Sequence, residues 1–233
     1  MAAVRVLVGP DSGAATEEAG LAELYAVPRT PWLRVNMVGT VDGAATGETG
    51  TSGSINNAVD KQVFDHLRAA ADVIVVGAGT ARAEGYHVAD RPLVIVSRRG
   101  DVPEQLQDAP AGAVLMATCE AAERVDRARE VLGADQVLVL GSHRVDLPLL
   151  KQVLADRGWA NQLCEGGPHL LRDLLAAGVA DELCTTTVPR LVAGEHPRIT
   201  QGPPLDVPLR LHLLLEAEGT LLARWLTGVP AVL

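Results

Sequence analysis

Aromatic residues are scarce in this chain: phenylalanine, tyrosine and tryptophan together make up 3% of 233 positions. So thin a supply offers no row of stacking platforms for single-stranded nucleic acid. Positive charge is lacking too, with a formal net charge of −9. A surface of that sign repels phosphate backbones, and no nucleic-acid partner is expected. Cysteine is sparse and scattered. Cys119, Cys164 and Cys184 are odd in number and share no metal-type pair spacing. They predict neither a disulfide framework nor a thiolate metal site, and point to a reducing cytoplasm. The six histidines are dispersed, so no metal is expected. No apolar run approaches the ~20 residues of a spanning helix, which excludes a membrane role of that kind.

What is present reads as an ordinary globular protein with enough chain for a sizeable core, 48% hydrophobic and 21% charged. Strands are expected at 32–38, 73–76, 92–97, 113–117, 136–140, 161–164 and 181–187. Helices are expected at 57–70, 80–84, 120–132, 147–157 and 168–177. The strand runs are continuously apolar rather than alternating, as when both faces of a sheet are covered. Such βα succession predicts an α/β domain with a mostly parallel central sheet flanked by helices. Residues 209–216 and 221–226, around Ala217-Glu218-Gly219-Thr220, read as a C-terminal antiparallel β-hairpin. Residues 1–30 read as an N-terminal extension, with a short strand, a turn at Gly9-Pro10 and a helix near 16–26 capped by Thr16. Residues 31–233 read as one domain.

Two glycine corners carry the chemistry. Val73-Ile74-Val75-Val76 empties into Gly77-Ala78-Gly79-Thr80, with Thr80 placed to cap a following helix. Gln162-Leu163-Cys164 empties into Glu165-Gly166-Gly167-Pro168 in the same way. Each aims free backbone N–H groups and a helix N-terminus at one spot, which suits phosphate, and two in one domain suggest a dinucleotide. Val94-Ile95-Val96 runs into Ser97, Arg98 and Arg99 at a strand's carboxyl end. Guanidinium forks there match a 2′-phosphate and favour NADPH over NADH, with Arg99 reading as a solvated turn residue. Asp42-Gly43 is a turn signal that either shapes the backbone or brings a carboxylate to the site. The small-residued loop 44–54 has the composition of a mobile substrate-covering lid. Glu165, between a buried strand and two glycines, is expected to point into the same crevice as the first corner.

Asn36-Met37, Val41-Asp42-Gly43, Gly77-Ala78-Gly79-Thr80-Ala81-Arg82-Ala83-Glu84, Glu165-Gly166-Gly167-Pro168 and Asp181-Glu182-Leu183 occur in an order and spacing that resembles a known family. It is the reductase half of the bifunctional riboflavin-biosynthesis deaminase–reductase, and the resemblance spans roughly residues 30–226. The deaminase zinc signature, His-x-Glu with a later Pro-Cys-x-x-Cys, has no counterpart in the sequence. The resemblance implies a single-domain dihydrofolate reductase-like fold. It also implies NADPH-dependent reduction of 5-amino-6-(5-phosphoribosylamino)uracil to the ribitylamino form.

By the same resemblance, Gly77, Ala78, Gly79 and Thr80 hold the cofactor phosphates, with Glu84 nearby, and Ser54 touches the cofactor. Gly166, Gly167, Pro168 and His169 form the second phosphate turn. Asp42 and Glu165 are implied as the catalytic carboxylates, with Asn36, Ser52, Arg68 and Arg91 contacting substrate. The chain departs from the family pattern in two places. Ser54-Ile55-Asn56-Asn57 replaces a Trp-Ile-Thr/Ser stretch, and Gly85-Tyr86-His87 stands where Asn-Pro is usual, leaving Arg91 as the candidate for a later arginine. Both changes fall on the substrate side. Two alternatives therefore stay open: a dihydrofolate or pterin reductase, and a non-catalytic NADP(H)-binding protein. A homodimer is expected, with the hairpin 209–226 and Trp225 as an isologous edge.

Overall fold

One eleven-stranded sheet organises the structure, a computed structural model describing residues 4–228 except 11, 14, 17 and 89. In chain order the strands are β1 (Val4–Val8), β2 (Ala15–Thr16), β3 (Trp32–Thr40), β4 (Val73–Gly77), β5 (Leu93–Val96) and β6 (Val114–Thr118). They continue as β7 (Val137–Val139), β8 (Asn161–Cys164), β9 (Glu182–Val188), β10 (Arg210–Ala217) and β11 (Thr220–Leu226). Their spatial order is β2-β1-β10-β11-β9-β3-β8-β4-β5-β6-β7. Every pairing from β9 to β7 is parallel, and every pairing from β2 to β9 is antiparallel. The mostly parallel sheet with an antiparallel hairpin is the architecture expected.

The helices are α1 (Glu18–Leu24), α2 (Ala58–Ala70), α3 (Ala78–Ala83), α4 (Val125–Leu132), α5 (Leu147–Asp156) and α6 (Pro168–Ala176). The continuous apolar strands sort their side chains onto two covered faces. Val73 and Val75 of β4 pack with Leu150 and Leu154 of α5 and with Leu171 and Leu174 of α6. Ile74 and Val76 point oppositely and pack with Ala81 of α3 and Ala128 of α4. α2 starts where Asn57 accepts a hydrogen bond from the Asp60 N–H at 3.0 Å, and it buries Val59, Val63 and Leu67 at helical spacing. In α5 the Asp146 carboxylate accepts from the Leu149 N–H at 2.9 Å.

Several boundaries differ from expectation. α3 begins at Ala78, with Gly77 as its N-cap and no side-chain cap, so Thr80 lies inside the helix rather than capping it. α4 begins at Val125 rather than 120. The Glu120 and Ala121 N–H groups donate to the Gly141 and Ser142 carbonyls, and the Arg124 N–H, which would close the first turn of a helix from 120, donates to the Arg99 carbonyl instead. The backbone of Thr16 pairs with Val4 in β2, and the cap expected of its side chain lies outside the described residues. β1 is hydrogen-bonded to β10, and Leu21 and Tyr25 enter the core beside α2. Within the stretch 1–30 read as an extension, β1 and β2 thus belong to the same sheet, and Leu21 and Tyr25 to its core. Both strands of the hairpin are interior, because β10 pairs with β1 and β11 with β9. The edge expected to carry a homodimer interface is already occupied.

Buried charge fastens the first helix to this sheet. Glu182 is fully buried and receives bonds from Arg34, Arg224 and the Trp32 indole. The same two guanidiniums donate to the Leu24, Tyr25 and Ala26 carbonyls at the end of α1. Burial pushes the Glu182 carboxyl up, but the bonds and charge of Arg224 and Arg34 outweigh it and bring it down to about 2.

Candidate active site

The two glycine corners lie side by side because β4 and β8 are neighbours. The Gly77 N–H donates to the Gly166 carbonyl at 2.8 Å, joining the loops through their backbones. Side chains are excluded there. A Cβ on Gly167 would sit 2.1 Å from Thr80 Oγ1, and one on Gly166, at φ +83°, would sit 2.8 Å from Met37 Sδ. The Gly166–Gly167 peptide is cis. Gly167 caps α6, with Pro168 in its first turn, where a missing N–H costs nothing.

Beside the corners opens a cleft of about 860 Å³, a size typical of small-molecule sites. Gly77, Ala78, Gly79, Thr80, Gly167, Pro168 and His169 line it, and so do Ser97 and Arg98 from the end of β5. Gly166 lies behind this wall, presenting its carbonyl to Gly77. The Ser97 hydroxyl accepts from the Asp101 N–H at 3.0 Å and so holds its loop. Arg99 also lines the cleft, as does Arg144 from the β7–α5 loop. Among the described residues none of Arg98, Arg99 and Arg144 forms an ion pair, while nearby Asp101 is paired with Arg124. Arg144 was missed in the sequence, since only the fold brings the β7–α5 loop to the β5 loop.

Glu165 departs from expectation. It does not line the cleft; it turns to the opposite face, towards α2. Arg68 Nε and Nη2 donate to its two oxygens, each at 2.6 Å, and the Tyr86 hydroxyl donates to Oε2 at 2.6 Å. The carboxylate side chain is 2% exposed and that of Arg68 31%. A candidate catalytic carboxylate and a candidate substrate-binding arginine are therefore each other's partners. In the sequence Tyr86 figures only as part of a departure from the family pattern and is given no place in the site, although it is one of only two tyrosines in the chain. Burial and the neighbouring Glu165 charge push its hydroxyl well above the ordinary range, so it stays a donor.

Asp42 is exposed and fastens a loop. It accepts from the Thr40 hydroxyl and from the Val192 and Ala193 N–H groups at 3.2 and 2.8 Å. The Thr40 bond first, then the Ala193 bond, hold its carboxyl below the usual range. Its partners are those of a turn-former, and the structure does not bring it to Glu165. The supposed mobile lid is stitched down as well. The Ser54 hydroxyl links the Gly47 N–H to the Thr51 carbonyl, Arg190 donates to the Ser54 carbonyl, and the Ser52 N–H donates to Glu84 Oε1 at 2.7 Å. Glu84 thus holds the lid to α3. Arg91 donates to the Ala69 carbonyl at 2.7 Å, a bond that ties the β5 approach to the end of α2. Asn36 is buried in β3 opposite Cys184.

The family described as RibD C-terminal domain matches residues 31–219. A curated relative, the 2,5-diamino-6-ribosylamino-4(3H)-pyrimidinone 5′-phosphate reductase of Archaeoglobus fulgidus, is 27% identical over 190 residues, covering 74% of this chain and 87% of its own. The riboflavin biosynthesis protein RibD of Chlamydia trachomatis is 29% identical over 202 residues, covering 73% of this chain but 53% of that protein. Among solved structures, a pyrimidine reductase-like protein from Corynebacterium diphtheriae superposes with a TM-score of 0.75 at 23% identity, over 90% of this chain and 99% of that one. The yeast riboflavin biosynthesis reductase Rib7 gives 0.66 at 13% identity, over 90% and 97%. The glycine corners, the mostly parallel sheet and the match across residues 31–219 lead to one conclusion: the chain belongs to the RibD C-terminal domain family.

Proposed function

We propose that the chain is an NADPH-dependent reductase of a ribosylaminopyrimidine 5′-phosphate in riboflavin biosynthesis. The observation that carries this reading is the pair of joined corners, Gly77 to Gly166, opening on a cleft whose wall holds unpaired arginines. Backbone N–H groups at the corners suit a diphosphate, and α6 adds the positive end of its dipole. Arg98, with Arg99 and Arg144 beside it, suits a further phosphate on the adenosine ribose and so favours NADPH over NADH. The names of the curated relatives support a ribosylamino-pyrimidine phosphate as substrate. The three cysteines are buried and unpaired, which suits a reducing cytoplasm.

The cofactor, when bound, supplies hydride to the sugar carbon that becomes an open-chain CH₂. The protein contributes orientation and exclusion of water. Both candidate carboxylates have partners of their own: Glu165 accepts from a guanidinium and a phenol, and the Thr40 and Ala193 bonds hold the Asp42 carboxyl below its usual range. Glu165 anchors Arg68 instead, and the lid is closed over α3 through Ser52 and Glu84. Assembly as a homodimer belongs to the same proposal, through a face of the hairpin rather than its edge, and is checked by light scattering.

The test is turnover. Purified protein is expected to oxidise NADPH with 5-amino-6-(5-phosphoribosylamino)uracil or its 2,5-diamino-pyrimidinone counterpart, and to leave dihydrofolate untouched. Turnover of dihydrofolate alone, or cofactor binding without turnover of any of the three, overturns the assignment.

A further inference from the structure

The unit formed by Arg68, Glu165 and Tyr86 has more built into it than charge balance requires. Arg68 alone neutralises Glu165, yet the Tyr86 hydroxyl adds a third short bond to the same carboxylate. Two aromatic rings also lie against the guanidinium, with Phe64 at 4.6 Å and Tyr86 at 5.6 Å from its central carbon. In a chain with so few aromatics, two of them are committed to one side chain. The result is an arginine whose long, flexible stem is held at its far end.

The bond pattern leaves one edge open. A guanidinium carries five N–H donors, and the Nε–Nη2 edge is occupied by Glu165. Nη1 and the outer hydrogen of Nη2 have no partner among the described hydrogen bonds, and they form the end-on edge whose spacing fits two oxygens of a phosphate. Exposure falls on the same group: Glu165 is sealed in, while about a third of Arg68 reaches solvent.

We propose that Tyr86 is a positioning residue for substrate: acting through Glu165 and by ring contact, it fixes Arg68 so that the open guanidinium edge receives a phosphate monoester. This rests on the reductase reading, from which the substrate's phosphate is taken. An anion arriving there meets a donor pair already oriented, and the ordering cost that normally weakens arginine binding has been met by the fold. Tyr86 does not line the cofactor cleft, so it acts on affinity rather than on the hydride step.

The experiment compares wild type with Tyr86→Phe, which keeps the ring and removes only the hydroxyl, after a thermal melt verifies that the variant is folded. With the ribosylaminopyrimidine phosphate, KM is expected to rise about ten-fold while kcat stays within about two-fold. With the dephosphorylated nucleoside neither constant changes. Calorimetry with ribose 5-phosphate is expected to show the same weakening as KM. In an Arg68→Lys background, where the fork is lost, Tyr86→Phe is expected to have no further effect. Equal changes for phosphorylated and dephosphorylated substrates mean a merely structural role and overturn the proposal, as does no change at all. Absence of turnover by wild type is a failure of the reductase reading. Ribose 5-phosphate then still decides on Tyr86: binding weakened by the Phe variant upholds it, and unchanged or undetectable binding refutes it.

Discussion

The two sides of the sheet at the carboxyl ends of β4 and β8 treat charge in opposite ways. On the α5–α6 side the cleft is made of backbone corners and of arginines, of which Arg98, Arg99 and Arg144 form no ion pair among the described residues, in a protein whose net charge is −9. On the α2 side the charges are satisfied from within, by Arg68, Glu165 and Tyr86 near the site and by Arg34, Glu182 and Arg224 further along the sheet. Cations outside any ion pair suit an anion still to come. Closed pairs define geometry, because breaking a buried pair leaves an uncompensated charge in a poor solvent for it. One side offers cations outside any ion pair, the other a cation already held in place by its partners.

The hardest blow to this contrast falls on the closed side. Glu182→Gln is expected to cost about 3–5 kcal/mol, measured by chemical denaturation at neutral pH, because two buried guanidiniums lose their counter-charge. Cofactor affinity should be unchanged. The acid limb gives the sign: a carboxyl depressed from 4.5 to about 2 contributes stability that is fully present above pH 4.5. That contribution is lost as pH falls through about 2. The Gln variant should show no such loss over that window.

A smaller effect is expected at the seam between the sides. Gly167→Ala places a methyl against Thr80 and should destabilise by about 1–3 kcal/mol, as overpacking does. Adding Thr80→Ala should recover most of this in the thermal melt, whereas additive losses would mean that the two corners are not in contact. On the open side, Arg98→Ala is expected to weaken NADPH about ten-fold, near 1.4 kcal/mol, and to leave NADH unchanged. Equal weakening of both would place the arginine on the diphosphate instead. The mildest change is Asp42→Asn. It should speed amide exchange at Val192 and Ala193 while leaving kcat within about two-fold. A loss of 100-fold or more, of the size general acid–base groups supply, would return Asp42 to the chemistry. Its carboxyl is held below the usual range, so its contribution to holding the 190s loop persists above that range. It fades only as pH falls through the lowered value.

Much of this was legible in the sequence, for local reasons. Val73–Gly77 and the run ending at Cys164 were readable as buried strands because continuous apolar, β-branched stretches leave few alternatives. Gly77, Gly166 and Gly167 were readable as corners because a close backbone approach excludes a side chain. What failed was direction and partnership. Glu165 was expected in the crevice, but strand alternation turns it to the α2 face beside an arginine nearly a hundred positions away. Asp42 before Gly43 reads first as a turn-former, its catalytic role being implied by the resemblance alone, and the Val192 and Ala193 N–H groups that meet it in the structure are partners of the first kind. The helix expected from 120 failed because the Arg124 N–H, which would have closed its first turn, found the Arg99 carbonyl in the β5–β6 loop.

Periodicity, glycine placement and the order of motifs determined the element types, the parallel sheet and the two phosphate-type corners, since each depends on neighbours along the chain. The tertiary structure alone decided which charges stay open and which are closed. Arg68 meets Glu165, Arg144 joins Arg98, and β1 and β9 occupy both edges of the hairpin. Those pairings are set by strand order and by which face a side chain leaves. Neither is encoded within the span of a single motif.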